Sequence, residues 1–413
     1  MLPGLSVSNT NFRYGSRLEV DFIGFLIIVL LFFIVMLIVS ISFYQSPLFL
    51  ALQLFLTLVL TLVFIVKTLL WFYVIFEVSL IPIGFIILII GYQPERIQAI
   101  GYIFIYTIVA SIPLLLLIME LSYLSTFRAS LIKWIYLALN PAFKGLIFLF
   151  AIIAFLVKLP VYGLHIWLPK AHVEAPLEGS IILAGLLLKV GGFGIVLFLP
   201  VSIILSRELC IFISFCRGLG GVLIRILCLR IIDLKIIIAY SSVAHIAICL
   251  ICIFSCSKIA IIRAVLIILA HGISRPAIFT GAFNIYTCRK SRNLILNRGG
   301  LSYSPAFTLW WFLACLANIA APPTLNLIRE VLSFISLWWE SPTYSLQIGF
   351  IIFLRGAYSL IAYSFTQHSY RECSNLKIRE FPINRSLILR VYSLSLLVSP
   401  LFLSTITPVI LVY

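Results

Sequence analysis

Six ionisable residues of this chain stand inside long apolar runs, where a lone charge costs roughly 3 kcal/mol or more. Glu77 lies in Phe76-Glu77-Val78-Ser79-Leu80-Ile81-Pro82, Lys158 in Leu156-Val157-Lys158-Leu159-Pro160, and Lys189 in Leu186-Leu187-Leu188-Lys189-Val190-Gly191-Gly192. His245 follows Tyr240-Ser241-Ser242-Val243-Ala244, His271 has Arg275 one helical turn on, and Glu330 has Asn326 one turn before it. Lys189 falls about 14 residues into its run, roughly 21 Å into a hydrocarbon core of about 30 Å, too deep to reach either surface. Amine, carboxylate and imidazole at such depth can each load and release a proton, so the chemistry this set supports is proton transfer within the membrane. Other roles stand beside that one. His245 alone suits a single interhelical hydrogen bond equally well, and Glu77 and Lys158 suit an ion pair.

The elements that position these residues follow from composition. The 413 residues are 63% hydrophobic and only 10% charged, with a mean hydropathy of +1.21, which excludes a water-soluble enzyme. Breaking the runs at charges, Pro and Gly predicts an all-α, polytopic membrane helix bundle of about twelve spans: 20–42, 47–67, 69–91, 98–119, 142–166, 175–199, 208–228, 234–254, 258–285, 303–339, 344–366 and 387–411. These lengths fit helices rather than barrel strands. The net charge of +16 comes from cations spread between the runs, as loop-flanking charge and not as a nucleic-acid surface. Twelve of the loop cations follow odd-numbered spans and seven the others, which places the odd loops, with Cys373, on the cytoplasm-equivalent side.

Two spans are interrupted. Pro160 sits late in the fifth, next to Lys158, where a helix C-terminus favours a cation. Pro322-Pro323 divides the tenth. Broken helices at membrane depth mark transport sites, and the two breaks fall at equivalent places if 47–199 and 208–366 are inverted five-helix repeats within one transmembrane domain. The segment Gly163 to Pro176 holds His165, His172 and Glu174. Read as a loop, it lacks the i, i+4 spacing of a helical zinc site, and it suits proton access better than metal binding. Cys249, Cys252 and Cys256 share a helical face but have apolar neighbours, so they read as packing residues.

The runs FEVSLIP (76–82), FLVKLPVYGLHIWLPKAHVEAP (155–176), LLLKVGGFG (186–194), DLKIIIAYSSVAH (233–245) and NIAAPPTLNLIRE (318–330) resemble the antiporter-like membrane subunits of respiratory complex I, the NADH:ubiquinone oxidoreductase. That resemblance implies a multi-pass protein of the mitochondrial inner membrane that moves protons and carries no cofactor or metal of its own. NADH, FMN, iron-sulfur clusters and ubiquinone would be held elsewhere in the complex. Its partners would be the other membrane-arm subunits, neighbouring antiporter-like chains among them, and lipids, with no nucleic acid.

Carried over position by position, the resemblance makes Glu77 and Lys158 a charged pair, Lys189 the central proton-carrying lysine, His245 a relay and Glu330 the acid that ends the path. His271 is secondary, and Lys235 in Asp-Leu-Lys is structural. The chain departs from the family in three ways. Two N-terminal helices of the usual fourteen are not found, Arg275, Arg329 and Glu178 stand where small residues are expected, and Arg355 has no family role. The competing reading of the same chemistry is a subunit of a multi-subunit sodium/proton antiporter. A mid-membrane Asp would favour sodium, but Asp21 and Asp233 both fall at span ends. A purely structural scaffold would place no titratable residues at the breaks, and a self-sufficient redox enzyme would need ligand motifs this sequence lacks.

Overall fold

In hydrocarbon a backbone can satisfy its own N–H and C=O groups only internally, so runs of Leu, Ile, Val and Phe coil into helices. The computed structural model describes residues 12–14, 18–42, 46–66, 68–91, 93–125, 141–205, 207–255, 258–302, 304–340, 342–368 and 383–402. Cys256 and Cys373 lie outside them. A small antiparallel pair, β1 (Phe12–Tyr14) and β2 (Leu18–Val20), precedes the helices. The first half contains α1 (Phe22–Ser42), α2 (Pro47–Ile65), α3 (Leu69–Val78), α4 (Leu80–Ile90), α5 (Arg96–Ser125) and α6 (Pro141–Lys158). A short α7 (Trp167–Glu174) leads into α8 (Leu177–Ile182), which continues through a π turn (Leu183–Leu187) into α9 (Leu188–Leu205). The second half contains α10 (Arg207–Arg230), α11 (Leu234–Phe254), α12 (Lys258–Arg289), α13 (Pro305–Ile319), α14 (Leu325–Glu340), α15 (Pro342–Gln367) and α16 (Ile383–Val398).

Among the described residues, nine helices are long and apolar enough to cross a membrane, against about twelve expected spans. The difference has identifiable causes. The run 142–166 stops at Lys158, 303–339 is split into α13 and α14 by Pro322-Pro323, and 387–411 is described only to residue 402.

The expected span 69–91 is one crossing, Leu69–Ile90, but it is not uninterrupted: α3 and α4 meet at Ser79, because Pro82 offers no N–H to the Val78 carbonyl. Nor is the stretch 163–176 all loop: its Trp167–Glu174 portion is helical, with Pro169 within the first turn, where a missing N–H goes unnoticed.

The helices differ sharply in burial. The stretches Leu177–Phe198 and Leu234–Phe254 are 89% buried and Ile261–Arg289 is 78% buried, whereas the other crossing helices are 33–44% buried. The axis of the bundle is therefore α8–α9, α11 and α12, the helices that carry Lys189, His245 and His271. Around it, Met36, Ile97 and Phe353 turn outward, as apolar side chains facing lipid do. α12 alone touches α1, α11, α13, α14 and α16.

Candidate functional site

At the Ser79 junction, Glu77, in the last turn of α3, meets Lys158, the last residue of α6, at 3.8 Å. The Lys158 ammonium also donates to the Phe76 carbonyl at 2.6 Å and lies 3.0 Å from the centre of the Phe76 ring. Charge, carbonyl and ring together offset the burial of this amine. Its own helix end is closed by Trp167, whose indole N–H donates to the Val157 carbonyl at 3.0 Å.

Among the described residues, no hydrogen bond joins this pair to Lys189. The glycines of the 186–194 run let α9 lie against α6: a Cβ on Gly194 would stand 2.3 Å from the Phe155 ring, and one on Gly191 would stand 2.9 Å from Leu159. Leu159 occupies the gap and lines a cavity with Lys189, His245 and His271. The space open to a water's centre there is about 20 Å³, on the order of what one ordered water needs.

Lys189 is 2% exposed and stands two residues after the end of the π turn. In that turn the backbone bonds skip a residue, and the ammonium donates to the Ala184 carbonyl. Lys189 Nζ also lies 2.7 Å from His271 Nδ1. When the ammonium donates there, neutral His271 carries its proton on Nε2. The His271 and His245 rings are 5.7 Å apart at their centres, and His245 Nδ1 in turn accepts from Arg329 at 3.2 Å.

Arg329 reaches Glu330 at 3.5 Å, but the principal partner of that acid is Arg355, which donates one N–H to each carboxylate oxygen. The second break explains the geometry. Helix α13 ends at Ile319, and Pro322-Pro323 cannot supply the missing donors, so side chains do. Arg355 donates to the Ile319 carbonyl at 2.7 Å and Asn326 to the Ala317 carbonyl at 2.5 Å.

The structure thus brings the six sequence-derived residues into two groups. Glu77 pairs with Lys158, and Lys189, His271, His245, Arg329, Glu330 and Arg355 follow one another in contact. Asn326 serves the break and not Glu330. Lys235 donates to the Val173 and Ala175 carbonyls at 3.0 and 2.7 Å, closing the end of α7. His165 and His172 are engaged separately: His165 accepts from the Gly163 amide at 3.2 Å, in a turn whose positive φ of 94° suits glycine, and His172 stacks on Phe279 at 4.7 Å. Among the described residues, no three His, Cys, Asp or Glu side chains gather as metal ligands.

Four features were missed in the sequence reading: the π turn, the Ser79 junction, Arg225 and Tyr358. The Arg225 guanidinium, fully buried, lies 5.0 Å from the Tyr358 ring. Arg225 stands three residues from the end of the expected span 208–228, so the depth that marked Lys189 does not mark it.

Residues 66–354 match the family model described as NADH:quinone oxidoreductase/Mrp antiporter, transmembrane. The chain is 39% identical over 329 residues to a NADH-ubiquinone oxidoreductase chain 4 of Locusta migratoria, covering 76% of this chain and 72% of that one. It is 42% identical over 323 residues to the chain 4 of Ceratitis capitata, covering 78% and 71%. Among solved structures, a chain of respiratory complex I from Thermus thermophilus with bound NADH superimposes with a TM-score of 0.80 at 23% identity, over 93% of this chain and 82% of that one. A chain of the Mrp complex from Dietzia sp. DQ12-45-1b gives 0.79 at 15% identity, over 94% and 82%. At those identities the two structures speak for the fold alone, whereas the family match spans the Glu77–Lys158 pair, both helix breaks and Lys189: the chain belongs to the transmembrane family shared by NADH:quinone oxidoreductases and Mrp antiporters.

Proposed function

We propose that this chain is a proton-translocating membrane subunit of an NADH:ubiquinone oxidoreductase of the mitochondrial inner membrane, working beside other membrane-arm subunits that include further antiporter-like chains. NADH, FMN, iron-sulfur clusters and ubiquinone belong to the rest of that complex. In this chain, residues 47–199 and 208–366 act as two inverted repeats, each with a broken helix.

The observation that carries the reading is the contact of Lys189 with His271 at 2.7 Å, in line with His245 and Arg329 and opening on a cavity of water size. Lys189 Nζ passes a proton to His271 Nδ1. Neither Nε2 atom of the two imidazoles has a hydrogen-bond partner among the described residues. Glu77 and Lys158 form the entry pair, where the charge on one sets the charge the other can hold. Glu330, clamped by Arg355, closes the row.

The sodium/proton antiporter reading draws on the Mrp fold, but the relatives at 39–42% identity carry the oxidoreductase name. The test is Lys189→Met in the assembled complex, which keeps volume and removes the titrating amine. Assembly near normal with strongly reduced protons per NADH supports the relay. Lys189→Arg keeps a charge that is not released, so wild-type pumping in that variant sinks the relay role. Pumping that requires sodium would favour the antiporter reading.

A further inference from the structure

The exposed apolar strip on the outer face of α10, with Leu219, Leu223 and Ile226, does not stop where that helix stops. Ile232 continues it in the junction before α11, and the Leu294 amide donates to the Ile232 carbonyl at 2.9 Å, which brings the next two residues, Ile295 and Leu296, onto the same strip. These three side chains are 47–51% exposed, although they stand in connecting segments and not in a helix. The same loop then runs along the end of α15, where the Gly300 and Leu301 amides donate to the Thr366 and Gln367 carbonyls at 3.0 and 3.2 Å, beside the outward-turned Ile361 and Phe365.

The turn that carries Ile295 and Leu296 is held from inside. The Ile295 amide donates to Asn293 Oδ1 at 2.9 Å, Asn297 Nδ2 donates to the Ser291 carbonyl at 2.9 Å, and the Ser291 hydroxyl donates to Asn297 Oδ1 at 2.6 Å. The Leu234 amide fastens the whole turn to α11 through the Arg292 carbonyl at 3.1 Å. Two large apolar side chains are thus presented outward in a fixed arrangement, which is unfavourable unless an apolar phase covers them.

The charge around the strip is one-sided. Residues 286–302 hold Arg289, Lys290, Arg292 and Arg298 and no Asp or Glu, and Arg230 stands two residues before Ile232. Asp233 and Glu174 lie within Coulombic reach of Arg292, whereas Arg230, Lys290 and Arg298 pair with no carboxylate among the described residues. Arg292 and Arg298 lie against the rings of Tyr286 and Phe365, at 5.3 and 5.4 Å. Cations laid on rings beside a lipid-facing flank are the side chains a bilayer gathers at its headgroup level.

We infer that Ile232, Ile295 and Leu296, with Arg230 and Arg298, form a docking surface for an anionic phospholipid of the surrounding leaflet. Its acyl chains lie on the strip that begins on α10, and its phosphate and headgroup accept from the two guanidiniums. Continuity of the strip with the α10 flank favours lipid over a soluble protein, and the unanswered cations favour an anionic headgroup over a neutral one. The inference does not depend on the proton relay, because its readout is bound lipid.

The assembled complex, washed in detergent to remove carried-over lipid, is reconstituted in nanodiscs of phosphatidylcholine alone or with added phosphatidylglycerol. Cryo-electron microscopy maps are compared at the 290–302 loop, and retained phospholipid is counted by mass spectrometry. The expected result is an ordered lipid against Ile295 and Leu296, its headgroup at Arg230 and Arg298, present with phosphatidylglycerol and weak or absent without it. Arg230→Gln and Arg298→Gln should each lower phosphatidylglycerol retention roughly fivefold, the effect of about 1 kcal/mol per cation near an anionic leaflet. Equal occupancy in both discs, a bare strip, a segment of another subunit seated on Ile295 and Leu296, or unchanged retention in the double variant each overturns the proposal. If the double variant does not assemble, the wild-type maps in the two lipid compositions decide alone.

Discussion

Replacing Arg355 by Met tests the clamp on Glu330, and the contacts set the size of the effect. Wild-type Glu330 has a donor from Arg355 on each carboxylate oxygen and a weaker one from Arg329 at 3.5 Å. Arg355→Met leaves the weaker contact alone and also orphans the Ile319 carbonyl. Removing one member of a buried ion pair costs about 3–5 kcal/mol, and a lost hydrogen bond adds about 1 kcal/mol. A domain stabilised by about 5–15 kcal/mol gives up much of its margin in that change. Removing both members costs less, because no carboxylate is then stranded. The double variant Arg355→Met with Glu330→Leu should therefore be more stable than Arg355→Met alone, with a coupling of about 3 kcal/mol between the two positions. The assay is the yield of assembled complex on native gels together with its thermal inactivation midpoint, for wild type, both single variants and the double. Strictly additive effects, or a double variant worse than Arg355→Met, would refute the clamp as the source of stability at the second break.

Three further outcomes follow from the geometry. Gly194→Ala places a methyl group against the Phe155 ring, which must move; about 1–3 kcal/mol of overpacking should lower the inactivation midpoint, and Phe155→Leu in the same chain should recover part of it. Lys235→Met removes the donor from the Val173 and Ala175 carbonyls, so faster proteolysis at 163–176 should appear while protons per NADH in the surviving complex stay near wild type. Pro160→Ala restores an amide donor after Lys158 and extends α6; assembly should persist with fewer protons translocated per NADH, and unchanged coupling would make the break a packing feature only.

Apolar length alone predicted where helices run, since a backbone in hydrocarbon has no alternative, and Pro160 and Pro322-Pro323 marked both of the expected breaks. The Ser79 junction was harder to see. Pro82 is three residues beyond it, inside a run that remains apolar on both sides, and the residue that closes it, Lys158, comes from another helix. The π turn before Lys189 has no signature in Leu183-Ala184-Gly185-Leu186-Leu187, because it arises from how those residues pack between α1 and α12 and not from their propensities. Depth selected Glu77, Lys158, Lys189, His245, His271 and Glu330 correctly as buried or half-buried polar groups, but it could not say which would touch. The partner of Lys189 proved to be His271, and that of Glu330 proved to be Arg355, 25 residues later and across a helix boundary.

The position of α12 has a consequence for how the chain is made. This helix, which carries His271, rests on α1 at one end of the sequence and on α16 at the other, and Phe33 of α1 meets Tyr392 of α16 edge to face at 6.0 Å. A ribosome delivers α1 long before α16, so the packing of α12 stays incomplete until α16 too has entered the bilayer. Until then the apolar flank of α12 has only lipid or an insertion factor to lie against. A stop codon or frameshift near residue 380 would thus leave every residue of the proton row in place and still deprive it of its wall.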